Sequence, residues 1–373
     1  MYEFISISIK EIPDWLKKSY LYQNFEIDNV NEDVFIPIPK NKFENEIKIN
    51  NENDLYKYLE IIRYWMIINC PFKIYDYIKL NPNIIDLSYI KENFYDLPFL
   101  DEFEIISSIH KNDKYFFCNE SAIKGYLNLL KYAHENGYSW NEYTCYSAAE
   151  NGHLDCLKYL HENGCPWNEY TCCSAAENGH LDCLKYAHEN GCPWDDDQCQ
   201  YAAENGHLDC LKYLHENGCP WDEDTCNNSA FNGHLDCLKY AHENSCPWNE
   251  VDIYSFAAKN GHLDCLKYLH ENSYPWDEYT CSSAAKNGHL DCLKYAHENG
   301  CPWNEYTCSI AAENGHLDCL KYAHENGCPW HKDTCSIAAK NRHLDCLKYA
   351  HENGCPWNEY TFNHDSEYVK NNK

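Results

Sequence analysis

His153, Cys156 and Cys165 fall within one short string, NGHLDCLKYLHENGCPW at 151–167, and near-copies of that string recur down the chain. An H-x2-C spacing followed by another cysteine belongs to the vocabulary of metal sites, and the same sulfurs would serve as a thiol store. A zinc ion needs about four ligands. His153 and Cys156 on one helix face supply two, and the equivalent pair His180 and Cys183 lies one packed layer away. Helix packing sets that layer at about 8–10 Å, too far for one ion to bridge. The same spacing exceeds the roughly 7 Å Cα limit for a disulfide between equivalent cysteines. The sequence therefore assigns no metal ligand and no cofactor, and it reads the cysteines as small apolar core groups. A cysteine nucleophile needs one distinctive position with a base beside it. Here every His and Cys candidate is copied along the chain, so no catalytic residue is assigned and an enzyme is not expected. The histidines of "HENG", such as His134, His161 and His188, fall near a helix C-terminus, where a cation suits the dipole. They read as partly exposed capping residues, with pH sensing as the functional alternative.

What positions these residues is a repeat. Glycines of the "NGH" turn stand at Gly152, Gly179, Gly206, Gly233, Gly261, Gly288 and Gly315, spaced by 27 residues with one step of 28. Gly125 and Arg342 extend the series to nine repeats. A fixed period of this size with self-similar wording means a solenoid of stacked units. Within 306–332, Thr307 to Glu313 reads as a short helix, and Asn314-Gly315 as a turn needing positive φ. A second helix follows from about His316 to Asn326, burying Leu317, Cys319, Leu320, Tyr322 and Ala323 at helical spacing. Gly327 suits a left-handed cap, Pro329 stops the helix, and Trp330 is left to lie between successive hairpins.

The text "IAAENGHLDCLKYAHENG" is similar to the ankyrin repeat, with Tyr306 to Ala311 in its T-P-L-H-x-A slot and 316–327 as second helix and exit. The resemblance covers about 116–359. It implies an all-α solenoid of helix-turn-helix repeats without the projecting β-hairpin finger, because these repeats are six residues short of the usual 33 or so. The wording resembles the shortened ankyrin-type repeats of large DNA viruses of amoebae. Residues 1–112 carry no repeat and form a separate N-terminal helical region, followed by repeats over 113–359 and a C-terminal cap and tail over 360–373. The stretch 53–81 reads as two helices broken at Pro71. It resembles the helical part of BTB or Skp1-type adaptors, which would imply docking on ubiquitin-ligase machinery. The alternative is a helical cap on the first repeat.

The resemblance implies protein–protein interaction as the function, with a metal- or thiol-buffering protein as the alternative. The second helices barely change between repeats while the first helices do, and first helices line the concave side in ankyrin-type stacks. The middle repeats "DDDQCQYAAE", "DEDTCNNSAF" and "NEVDIYSFAAK" depart most from the common text. A partner site is expected there, centred on Gln200, Tyr201, Asn227, Asn228, Phe231, Tyr254 and Phe256. The formal net charge of −29 argues against nucleic acid or anionic lipid as partner, and Asp195 to Asp197 favour a basic protein surface. No apolar run approaches the ~20 residues that span a bilayer. An intracellular protein with reduced thiols is expected, in the cytoplasm, of the host if viral.

Overall fold

The computed structural model describes residues 4–8, 35–39, 55, 59, 72–80, 87–93, 100–108, 115–247, 252–272, 276 and 279–357. The chain divides into two compact units, Met1–Ala148 with Asp155–Pro166, and Ala149–Leu154 with Trp167–Lys373.

In the first unit, β1 (Phe4–Ser8) and β2 (Phe35–Pro39) form an antiparallel ribbon in which Phe4 pairs with Pro39 and Ser8 with Phe35. Helices α1 (Phe72–Leu80), α2 (Leu87–Asn93) and α3 (Leu100–Ser108) follow, so the N-terminal region is helical over these segments and carries a ribbon besides. The expected Pro71 break itself lies outside the described residues, and α1 begins directly after it. The first hairpin is α4 (Phe116–Lys124) and α5 (Leu127–Glu135). Buried aromatics join it to the preceding helices. Tyr75 meets Phe103 and Tyr132 edge-on at 6.3 and 5.2 Å, and Phe117 meets Tyr132 at 6.1 Å. The polar ends are satisfied, since Tyr132 donates to Asp76 at 2.6 Å and Tyr75 donates to the Glu102 carboxylate. Burial lifts the Glu102 carboxyl to about 7, against the pull of that hydrogen bond.

The repeats continue as α6 (Glu142–Glu150) and α7 (Leu154–Glu162), then α8 (Glu169–Glu177) and α9 (Leu181–Glu189), α10 (Gln198–Glu204) and α11 (Leu208–Glu216). Next come α12 (Glu223–Asn232) and α13 (Leu235–Glu243), α14 (Ile253–Asn260) and α15 (Leu263–Glu271), α16 (Thr280–Asn287) and α17 (Leu290–Glu298). The last pairs are α18 (Glu305–Glu313) with α19 (Leu317–Glu325), and α20 (Thr334–Lys340) with α21 (Leu344–Glu352). In the second unit each first helix packs on the next first helix, and each second helix on the next second helix. No strand occurs among the described residues of the repeats, so the finger expected to be missing is replaced by a short exit loop.

The helix boundaries follow local chemistry. Asn304 caps α18 by accepting from Tyr306 N–H at 3.0 Å, which starts the helix two residues before the sequence pattern does. Gly315 (φ 78°) closes the turn, and Gly327 (φ 90°) ends α19 as expected. Along α19, Cys319, Leu320 and Ala323 are buried, while Leu317 and Tyr322 are half-buried. A single hairpin this thin cannot bury two faces, so each buried leucine, worth about 1.5–3 kcal/mol, needs the neighbouring repeats.

Candidate interaction face

Between repeats the second helices are tied by an aromatic ladder. His188, in the last turn of α9, stacks on Trp194 with ring centroids 3.7 Å apart, and its Nδ1 pairs with the Tyr213 hydroxyl of the next repeat at 2.9 Å. His215 repeats both contacts with Trp221 at 3.7 Å and Tyr240 at 2.9 Å. Lys185 and Lys212 lie over those same tyrosine rings at 5.7 and 5.8 Å. The histidines read as partly exposed caps stand half-buried in the last helical turn and are rungs between repeats as well. Their signal in the sequence was the fixed spacing of His, Trp and Tyr, which recur together.

The "NGH" histidines form a second column. A Cβ on Gly152 or Gly179 would lie 2.5 Å from Nδ1 of His180 or His207, so the turn glycine is also the floor for the next ring. Burial lowers the His207 pKa, while a backbone hydrogen bond at Glu177 supports the charged form.

With both columns fixed by stacking, the first helices are left to vary, and the expected partner residues sit on α10, α12 and α14. Gln200, Tyr201, Asn228, Phe231 and Phe256 are half-buried. Phe231 and Phe256 meet edge-on at 5.9 Å across adjacent first helices, and Lys259 Nζ lies 5.6 Å above the Phe231 ring. Tyr201 stands near Asp195, Asp197 and Glu177, and burial first, then these charges, raises its pKa.

Two of the expected residues are turned away from this face. Asn227 is buried, and its Oδ1 has no hydrogen-bond partner. Tyr254 is fully buried and packs on Trp276 at 4.7 Å. For Tyr254 the reason is register. The extra residue of this repeat falls ahead of α14, because Gly261 keeps its distance from the helix that precedes it. Tyr254 thus occupies the slot of the core cysteines Cys226 and Cys281, and Ser255 takes the variable slot. The sequence reading had placed the insertion one helix too late.

A column of exposed tyrosines escaped that reading. Tyr170, Tyr279 and Tyr306 are 57–58% exposed at or beside the first turn of their first helices, and Asp197, Asp224 and Asp252 hold the slot in the middle repeats. Among the described residues no helix is long and apolar enough to cross a membrane.

Two family models match the chain. "Ankyrin repeats (3 copies)" matches residues 145–226, 172–253 and 199–276, and "Ankyrin repeats (many copies)" matches 281–324. No curated protein matches. Among solved structures, the chain is similar to the crystal structure of the human ASB11 ankyrin repeat domain, at 19% identity and a TM-score of 0.38, over 42% of this chain and 84% of that one. Over residues 145–276 and 281–324 the stacked, shortened hairpins thus match ankyrin repeats.

Proposed function

We propose that the chain is a protein-interaction scaffold whose partner docks on the first helices of the middle repeats. The observation that carries this reading is the Phe231–Phe256–Lys259 cluster, the one place among the described residues where adjacent variable first helices put two half-buried phenylalanines in contact. Half-buried aromatics flanked by polar Gln200, Tyr201 and Asn228 suit a contact hot spot. The acid at Asp195 to Asp197 favours a partner with a basic rim. Ankyrin repeats generally act in this way. The buried joint between α1–α3 and the first hairpin supports a capping role for residues 72–108 over an adaptor role. The reading includes the shortened viral repeat type, on the 27-residue spacing, and an intracellular setting, on the many buried thiols of the described residues.

Affinity capture from cell extract tests it, with Phe231→Ser/Phe256→Ser and Tyr170→Ser/Tyr306→Ser compared against the unchanged protein. Loss of one partner only with the phenylalanine pair supports the site. Equal retention by both variants, or loss with the tyrosine pair alone, moves recognition elsewhere.

A further inference from the structure

Besides the single cysteine on each second helix from α7 onward, most repeats bury two more, one on the first helix and one at the exit 20 residues later. Comparison of equivalent cysteines between repeats rules out pairing, but these two lie within one repeat. Cys308 Sγ is 3.8 Å from the Cys328 carbonyl oxygen, and the corresponding distances for Cys172–Cys192, Cys199–Cys219, Cys281–Cys301 and Cys335–Cys355 are 3.8–4.0 Å. The two thiols are in hydrogen-bond contact in the 172/192, 199/219, 226/246, 308/328 and 335/355 pairs. The exit sulfur also takes the backbone N–H of its first-helix partner, as Cys328 does from Cys308. Beside it, Thr307 Oγ1 is buried with no hydrogen-bond partner, and in the last described repeat the Thr334 hydroxyl lies against Cys355.

We infer that each such cysteine pair is a binding site for a two-coordinate thiophilic cation, Cu(I) in the first instance. The ligand count selects the ion. Zinc needs about four ligands. Among the described residues no group of three or more His, Cys, Asp or Glu could hold a metal ion. Two sulfurs alone suit a soft monovalent ion. Binding replaces two S–H bonds by two S–Cu bonds and releases two protons, with no change in oxidation state. The site then carries one negative charge, which the Cys308 N–H faces in the 308/328 pair and the Thr334 hydroxyl faces in the 335/355 pair. Entry requires only local opening of the exit loop, the thinnest part of each repeat.

The chain contains its own blanks. Seven repeats carry both cysteines, from 145/165 to 335/355, whereas Tyr138 and the pair Tyr254 and Tyr274 interrupt two others. The experiment titrates the folded full chain, reduced and under anaerobic conditions, with Cu(I) buffered by a competing chromophoric chelator. A plateau at seven ions per chain is expected, matching the pair count, with two-sulfur coordination by X-ray absorption. Cys308→Ser lowers the plateau by one and Cys319→Ser leaves it unchanged, with circular dichroism confirming that both variants fold. If Cys308→Ser unfolds the chain, Cys328→Ser serves the same purpose. Uptake only after unfolding in urea, three-sulfur coordination, or a plateau lowered by Cys319→Ser and not by the pair variants would overturn the inference.

Discussion

The repeat holding α14 and α15 and the repeat holding α16 and α17 share a second helix almost word for word, yet they are built differently. In the regular repeat His297 stacks on Trp303 at 3.6 Å, and Cys281 fills the first-helix core slot. In the irregular one that slot holds Tyr254, and Trp276 leans onto it at 4.7 Å while withdrawing to 4.8 Å from His270. His270 Nδ1 is left buried without a partner, where the earlier His188, His215 and His242 each pair with a tyrosine hydroxyl at 2.7–2.9 Å. The regular repeats that follow share that open rung, since His297–Tyr322 and His324–Tyr349 stand at the same 6.0 Å as His270–Tyr295 and the tyrosines donate to Glu298 and Glu325 at 3.5 Å instead. The oversized core residue therefore accounts for the displaced tryptophan of its own repeat, and not for the missing hydroxyl bond.

The sharpest way to break the comparison is to empty the slot. Tyr254→Ala removes a fully buried ring. It is expected to cost about 3–5 kcal/mol, whereas Cys281→Ala, a far smaller deletion, is expected to cost about 1–2 kcal/mol. Urea unfolding of the full chain followed by circular dichroism measures both. Equal losses would mean that Tyr254 is not packed as the core residue of its repeat.

The sequence carried the repeat itself, its turns and its second helices, because a 27-residue period leaves few other ways to bury Leu320 and its equivalents. What it hid was register and partnership. An insertion slides freely through the polar text at 249–252, and only the fixed distance from α14 to Gly261 shows on which side of the helix it falls. The same distance check would have moved Tyr254 from the binding face into the core. The thiol pairs stand at a spacing of 20, which the 27-residue period of equivalent cysteines does not display. The ladder needed the knowledge that a histidine near one helix end reaches the tyrosine of the next repeat, which no single repeat displays.

A smaller effect separates the two glycine columns. At Gly288 (φ +78°) an added Cβ would sit 2.5 Å from His316 Nδ1, while at Gly300 (φ +85°) nothing lies within 4 Å. The chain has already made both substitutions. Ser245 stands in the open exit column at φ 64°. Arg342 stands in the turn column at φ 64°, where the residue 28 positions later is Lys370 and not histidine. Gly288→Ala is expected to lose about 2–4 kcal/mol by adding overpacking to left-handed strain. Gly300→Ala should lose only the strain, about 1 kcal/mol. The difference between the two urea midpoints isolates the contact with the histidine ring, and no difference would mean that the ring moves aside.

The smallest effect tests the broken rung directly. Tyr213→Phe removes the hydroxyl that pairs with His188 Nδ1, and leaves the ring under Lys185. Loss of one such bond is expected to cost about 1 kcal/mol. Tyr295 occupies the same position after the irregular repeat, its ring 6.0 Å from His270, whose Nδ1 has no partner to lose. Tyr295→Phe is therefore expected to change stability by less than about 0.5 kcal/mol, as an ordinary conservative substitution does. Restoring the common text with Tyr254→Cys lets Trp276 return to His270. In that background Tyr295→Phe should still change stability by less than about 0.5 kcal/mol, because the regular His297 stacks on Trp303 at 3.6 Å and its Tyr322 hydroxyl nevertheless turns to Glu298. A double-mutant cycle between positions 254 and 295 reads this as a coupling energy near zero. A coupling of about 1 kcal/mol would mean that the tyrosine in the core slot does open the gap in the ladder.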